Sequence, residues 1–148
     1  MSLPSALFKS CVCVSLPSGA SEVIFPKETI HAVIGGSVTL SAQVVPLENL
    51  MNAKVNVSKA LTNEIVHLYR DGKDHLVQQS PQYKTRTALN HAHLEGGNVT
   101  LDISKLTLND SGFYRLTVVK GSGSEQLITG CNITLSVGKH VFIHIKTT

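Results

Sequence analysis

Tryptophan is missing from these 148 residues, cysteine occurs three times, and Phe and Tyr together supply only seven rings. Charge is sparse as well: 16% of the residues are Asp, Glu, Lys or Arg, against roughly 25% in an average globular protein. That scarcity, beside a 42% apolar content, excludes both a solvated disordered tail and a charge-laced coiled coil. Thirteen basic residues are scattered among ten acids with no Lys or Arg run, so the formal charge of +3 makes no case for nucleic acid. No apolar stretch approaches the ~18 to 20 residues of a membrane-spanning helix, and Val141-Phe142-Ile143-His144-Ile145 is far too short. Enzyme signatures are also wanting: there is no Gly-x-Ser-x-Gly elbow, no phosphate loop ending in Lys-Ser/Thr and no His-Glu-x-x-His. Neither a cofactor nor a small-molecule substrate is therefore expected.

What is present is a rhythm of short apolar runs separated by turn residues every 8 to 12 positions or so, the pattern of an all-β sandwich or barrel. Residues 1–20 stand apart and read as a short secretory signal. Lys9 precedes Cys11-Val12-Cys13-Val14-Ser15-Leu16, and Pro17 and Ser18-Gly19-Ala20 follow. From Ser37 onward Val38, Leu40, Ala42 and Val44 share one strand face, and Val55 and Val57 alternate with Asn56 and Ser58. Glu64 to Tyr69 runs into Arg70-Asp71-Gly72-Lys73, whose Asp-Gly centre marks a hairpin. Val99, Leu101 and Ile103 face one way while Asn98, Thr100 and Asp102 face the other. The final strands are expected over Tyr114 to Lys120 and Gln126 to Val137, joined by Gly121-Ser122-Gly123-Ser124.

Between the alternating strand at 99–103 and the next one lies Asp110-Ser111-Gly112-Phe113-Tyr114. In variable-type immunoglobulin sandwiches a Tyr stands two residues before the second cysteine position, with its ring in the core and its hydroxyl on backbone at a corner. Tyr114 fits that place. The stretch EIVHLYRDGKDHLVQQSPQYKTRTALNHAHLEGGNVTL, from Glu64 to Leu101, resembles the variable domains of the butyrophilin and myelin oligodendrocyte glycoprotein family. LNDSGFYRLTVVK is similar to the N-terminal domains of the carcinoembryonic-antigen adhesion and signalling lymphocyte activation families. The resemblance extends over residues 22–137, leaving 138–148 as a short tail, and implies an immunoglobulin-like V-type β-sandwich of two antiparallel sheets. It also implies that Arg86 pairs with Asp110 at the lower edge.

The family pattern, laid over this chain, puts its two core cysteines at Ala42 and Leu116 and its core tryptophan at Val57. All three are replaced, so the sandwich is expected to lack the intersheet disulfide and to refill the space with Leu40, Val55, Leu101, Ile103, Tyr114 and Leu116. Four Asn-x-Ser/Thr sequons, at Asn56, Asn98, Asn109 and Asn132, favour the secretory pathway. Asn109, beside the turn of Asp110, is the one expected to be least accessible. Alternation places Arg115, Thr117 and Val119 on the outer face of one sheet, with His67 and Tyr69 as further contributors, and these are the candidate binding face; Asn56 lies on the same face, where a glycan would restrict binding. Cys131 is either a small buried hydrophobe or an intermolecular bridge. His91-Ala92-His93 offers two imidazoles from one side of a strand, but no Cys or acid stands at zinc spacing beside them.

The resemblance implies a cell-surface or secreted recognition module that binds a protein partner, such as a cell-surface receptor, in lymphocyte regulation. Homophilic or heterophilic cell adhesion is the alternative, the homophilic form pairing the same face in a homodimer, and a metal-dependent enzyme built on the histidines is the remote one.

Overall fold

The computed structural model describes residues 22–121, 126–130 and 132–139. Its strands are β1 (Glu22–Ile24), β2 (Thr29–Val33), β3 (Val38–Val45), β4 (Lys54–Lys59), β5 (Ile65–Arg70), β6 (Lys73–Asp74), β7 (Thr87–Leu89), β8 (Asn98–Ile103), β9 (Gly112–Lys120), β10 (Gln126–Thr129) and β11 (Ile133–Gly138). One helical turn, α1 (His91–Leu94), is closed at its start by the Asn90 side chain, which accepts from the His93 N–H.

Two sheets result, ordered β1-β3-β8-β7 and β2-β11-β9-β4-β5-β6, with β10 added alongside β9 in the second. The chain changes sheets between β1 and β2, so that β2 runs parallel to β11. Elsewhere neighbours are antiparallel, and the alternation seen in the sequence sets the register. Leu40 faces Leu101 and Ala42 faces Val99 across β3 and β8, all four buried. A slip of one residue would turn that whole apolar set to water, which is why the pairing is fixed. At the hairpin between β5 and β6, Asp71 and Gly72 both take positive φ, 54° and 80°, the mirror-image turn that matches strand twist.

The expected final strand is two strands. Between β10 and β11 the chain passes Gly130, where a Cβ would come within 2.8 Å of a Val23 side-chain carbon. The glycine lets the backbone lie against β1.

At the lower edge Arg86 meets Asp110 through two parallel contacts, Nη1 to Oδ2 and Nη2 to Oδ1, both 2.9 Å. Asp110 is fully buried and also accepts the Thr107 N–H at 2.8 Å. The Tyr114 hydroxyl donates to the Asp110 carbonyl, which leaves the Tyr83 hydroxyl as the donor in its 3.0 Å contact with Tyr114. Burial, foremost, pushes the Tyr83 hydroxyl up to about 12. Burial and then the Tyr83 hydrogen bond push Tyr114 up as well, so both remain neutral donors.

Ala42, Val57 and Leu116 lie in the core between the sheets. Beside them is a space of about 10 Å³, lined by Phe25, Leu40, Ser41, Val99, Leu101, Tyr114, Arg115 and Ile133 together with those three. Leu40, Leu101, Tyr114 and Leu116 thus border the space as expected, while Val55 and Ile103 are buried elsewhere in the core. The lining is mainly apolar, and the space is about that of one water. Val57→Ile adds one methylene to its wall and is expected to raise stability by about 1 kcal/mol, read as a higher urea midpoint at unchanged slope. A lower midpoint would mean the wall cannot take the extra carbon.

Candidate functional site

The second sheet presents one face to the first sheet and, along β9 and β10, the other to solvent. On β9 the inner positions Tyr114, Leu116 and Val118 are buried, and Phe113, Arg115, Thr117 and Val119 point outward between them. Across to β4, Arg115 lies opposite Ser58, Thr117 opposite Asn56 and Val119 opposite Lys54. On the other flank Leu127 of β10 lies opposite Val119. Directly opposed residues share a face, so one patch contains Lys54, Asn56, Arg115, Thr117, Val119 and Leu127. Phe113 is 42% and Leu127 64% exposed.

His67 and Tyr69 do not belong to this face. Their partners across β4 are Val57 and Val55, both core residues, and they are themselves 3% and 0% exposed. Inside, their polar ends are satisfied. The Tyr69 hydroxyl donates to the Met51 carbonyl at 2.7 Å, and its ring meets His91 edge-on at 4.9 Å. His67 Nε2 lies 2.8 Å from Asp74 Oδ1, and His91 Nε2 3.0 Å from the same oxygen. A carboxylate only accepts, so both Nε2 atoms donate. His67 Nδ1 lies 2.8 Å from the Thr87 hydroxyl, and that hydroxyl accepts from Gln79 Nε2 at 2.9 Å. Because Thr87 is in the first sheet and His67 in the second, this chain of bonds ties the sheets together at one side.

Burial works to raise the Asp74 carboxyl, but the hydrogen bonds and charges of His67 and His91 outweigh it and hold the group below its usual value. A depressed carboxylate contributes stability above its unfolded value and loses it as pH falls through the folded one. Asp74→Asn is therefore expected to lower stability at pH 7 and to flatten the loss on acidification below about pH 4. Urea midpoints of the two proteins taken from pH 7 to pH 3 check this; parallel curves would remove Asp74 from the acid limb.

The histidines at 91 and 93 sit on the α1 turn, not on one side of a strand. His91 reaches Asp74, whereas His93 Nδ1 contacts the Thr100 hydroxyl at 3.0 Å. Among the described residues no three of His, Cys, Asp and Glu are grouped to hold a metal ion.

The sequons also differ from expectation. Asn109 is exposed on its turn, as is Asn132, and Asn98 is half-buried on the outward side of the first sheet. Asn56 is the restricted one: its Oδ1 is buried and accepts from no described residue. Its place between β5 and β9 in the middle of the sheet accounts for this. Cys131 and the signal at 1–20 lie outside the described residues. No helix among the described residues is long and apolar enough to cross a membrane.

Comparison with known proteins adds a family. A model of the immunoglobulin V-set domain matches residues 25–137. The chain is 34% identical over 117 residues to myelin-oligodendrocyte glycoprotein of Pongo abelii, covering 76% of this chain and 48% of that one. It is 35% identical over 105 residues to selection and upkeep of intraepithelial T-cells protein 2 of Mus musculus, covering 71% and 26%. It thus spans about half the length of the first relative and about a quarter of the second. Bovine butyrophilin superposes with a TM-score of 0.70 at 23% identity, over 79% of this chain and 54% of that one. The IgV-like domain of human B7-H4 superposes with 0.66 at 24% identity, over 80% and 97%.

Proposed function

The chain belongs to the immunoglobulin V-set family, and from that premise we propose that it is a recognition module, secreted or displayed outside the cell, that binds a protein partner through the outer face of its second sheet. The setting is lymphocyte regulation. One observation carries this reading: the outward positions of β9 and β10 leave Phe113 and Leu127 exposed, with half-buried Arg115, Thr117 and Val119 between them. Exposed apolar groups gathered on one sheet face among polar ones suit a protein interface. The first sheet offers no such mixture along β8, whose outward Asn98, Thr100 and Asp102 are all polar. Exposed sequons at Asn109 and Asn132 suit an extracellular chain, and the name of the intraepithelial T-cell relative favours the immune setting. The mechanism is surface complementarity alone, with no chemical step.

Tetramers of the protein applied to lymphocytes test the reading. The variant R115A/T117A/V119A is expected to bind at least tenfold more weakly, about 1.4 kcal/mol, while T39A/S41A on the first sheet binds as the parent does. Loss confined to the first-sheet variant would overturn the assignment of the face.

A further inference from the structure

The outward positions of the second sheet carry charge of one sign. Lys54 on β4 lies opposite Val119, and Arg115 on β9 opposite Ser58. Arg70 on β5 lies two residues beyond Leu68, which faces Asn56, and Lys73 on β6 lies opposite Arg70. Lys54, Arg70 and Lys73 are exposed and Arg115 is half-buried. Among the described residues no Asp or Glu holds an outward position in these strands. The nearby carboxylates are engaged elsewhere. Asp74 turns inward to His67 and His91, Glu64 holds Thr62, Ser80 and Gln82, and Glu48 pairs with Lys120. Asp71, in the turn past the strand end, reaches only Arg70, at 3.7 Å. Four cations on one face exceed the formal charge of +3 on the whole chain.

We infer that this face is set against a second copy of the chain and for an acidic protein surface, an inference that rests on the reading of the face given above. Two copies meeting face to face about a two-fold axis would oppose the same patch with itself, bringing the cluster of Lys54, Arg70, Lys73 and Arg115 against the same cluster of the second copy. Like charges across an interface suppress the pairing, while an anionic counterpart speeds encounter and fixes register. Exposed Phe113 and Leu127 among the cations ask for a dry apolar counter-surface as well as negative charge. A folded protein supplies both; a sulfated polysaccharide or a layer of lipid headgroups supplies mainly the charge.

The test uses the whole chain and its charge-reversed variant K54E/R70E/K73E/R115E, which serves as an acidic protein surface of matching shape. Each is sedimented alone and in equal mixture, with reductant present so that no thiol bridge contributes. Each alone is expected to remain monomeric. The mixture is expected to form a one-to-one complex at low ionic strength, at least tenfold weaker once salt shortens the screening length from about 30 to about 8 Å. Self-association of the parent chain at low salt, or no complex in the mixture, overturns the inference. So does tighter binding of the parent to heparin oligosaccharides or phosphatidylserine vesicles than to the reversed chain. Should the fourfold variant fail to fold, K54E/R115E replaces it. The lymphocyte tetramers separate this inference from the reading beneath it. Binding lost in R115A/T117A/V119A but kept in K54E/R70E/K73E leaves the face and removes the acidic partner; binding lost in T39A/S41A alone removes the face.

Discussion

Asp110→Ala is expected to cost the protein about 3 to 5 kcal/mol, read as a loss of most of the urea midpoint. Asp110 is 0% exposed and the Arg86 side chain 12%, so removing the carboxylate leaves a guanidinium with little water to turn to. The loss is more than one ion pair. Both carboxylate oxygens are engaged by Arg86, and Oδ2 also accepts the Thr107 N–H that closes the turn ahead of β9. The partner change is not equivalent. Arg86 also donates to the carbonyls of Gln82, Ser104 and Lys105, so Arg86→Lys keeps a charge but loses the planar fork that serves them at once. It is expected to destabilise by a smaller, still measurable amount. With a typical total stability of roughly 5 to 15 kcal/mol, Asp110→Ala brings the chain near the unfolding threshold. A midpoint within a few tenths molar of the parent would mean that water replaces the pair.

The second large effect has the opposite sign. Cysteines placed at both Ala42 and Leu116 are expected to bridge the sheets and raise stability by about 2 to 4 kcal/mol, since the loop they close is roughly 75 residues long. Both positions border the interior void, so two sulfurs enter space that is poorly filled. The bridge requires the two Cα atoms to settle about 4.4 to 6.8 Å apart; sheets that have drifted wider in adapting to Ala, Val and Leu resist it. Counting free thiols in the denatured chain shows whether the bridge forms. Melting with and without reductant then gives its contribution, and an unbridged pair, or one that lowers the melting temperature, overturns the assignment of these two positions.

Strands β3, β8 and β9 were legible in the sequence because each has one wet face, so apolar and polar residues alternate and the register follows. β5 was not. Val66, His67, Leu68 and Tyr69 are all buried, and with both faces covered the polarity of a residue no longer tells which way it points. His67 and Tyr69 looked outward because imidazole and phenol carry polar ends. Inside, those ends meet Asp74, Thr87 and the Met51 carbonyl, partners that come from other strands and loops and leave no local trace. The division of the last strand was hidden for a related reason: Gly130 is visible in the sequence, but the approach of Val23 from a distant strand is not. The uniform charge of the outer face was equally dispersed, its four residues being spread from 54 to 115 and gathered only by the pairing of four strands.

The Arg86–Asp110 clasp and the Thr87–His67 bond have a consequence for where such a domain can be made. Ala42 and Leu116 contribute no thiol, so the join between the sheets needs no oxidant, isomerase or oxidising compartment to form. The described sandwich is therefore expected to refold to the same midpoint with and without reductant.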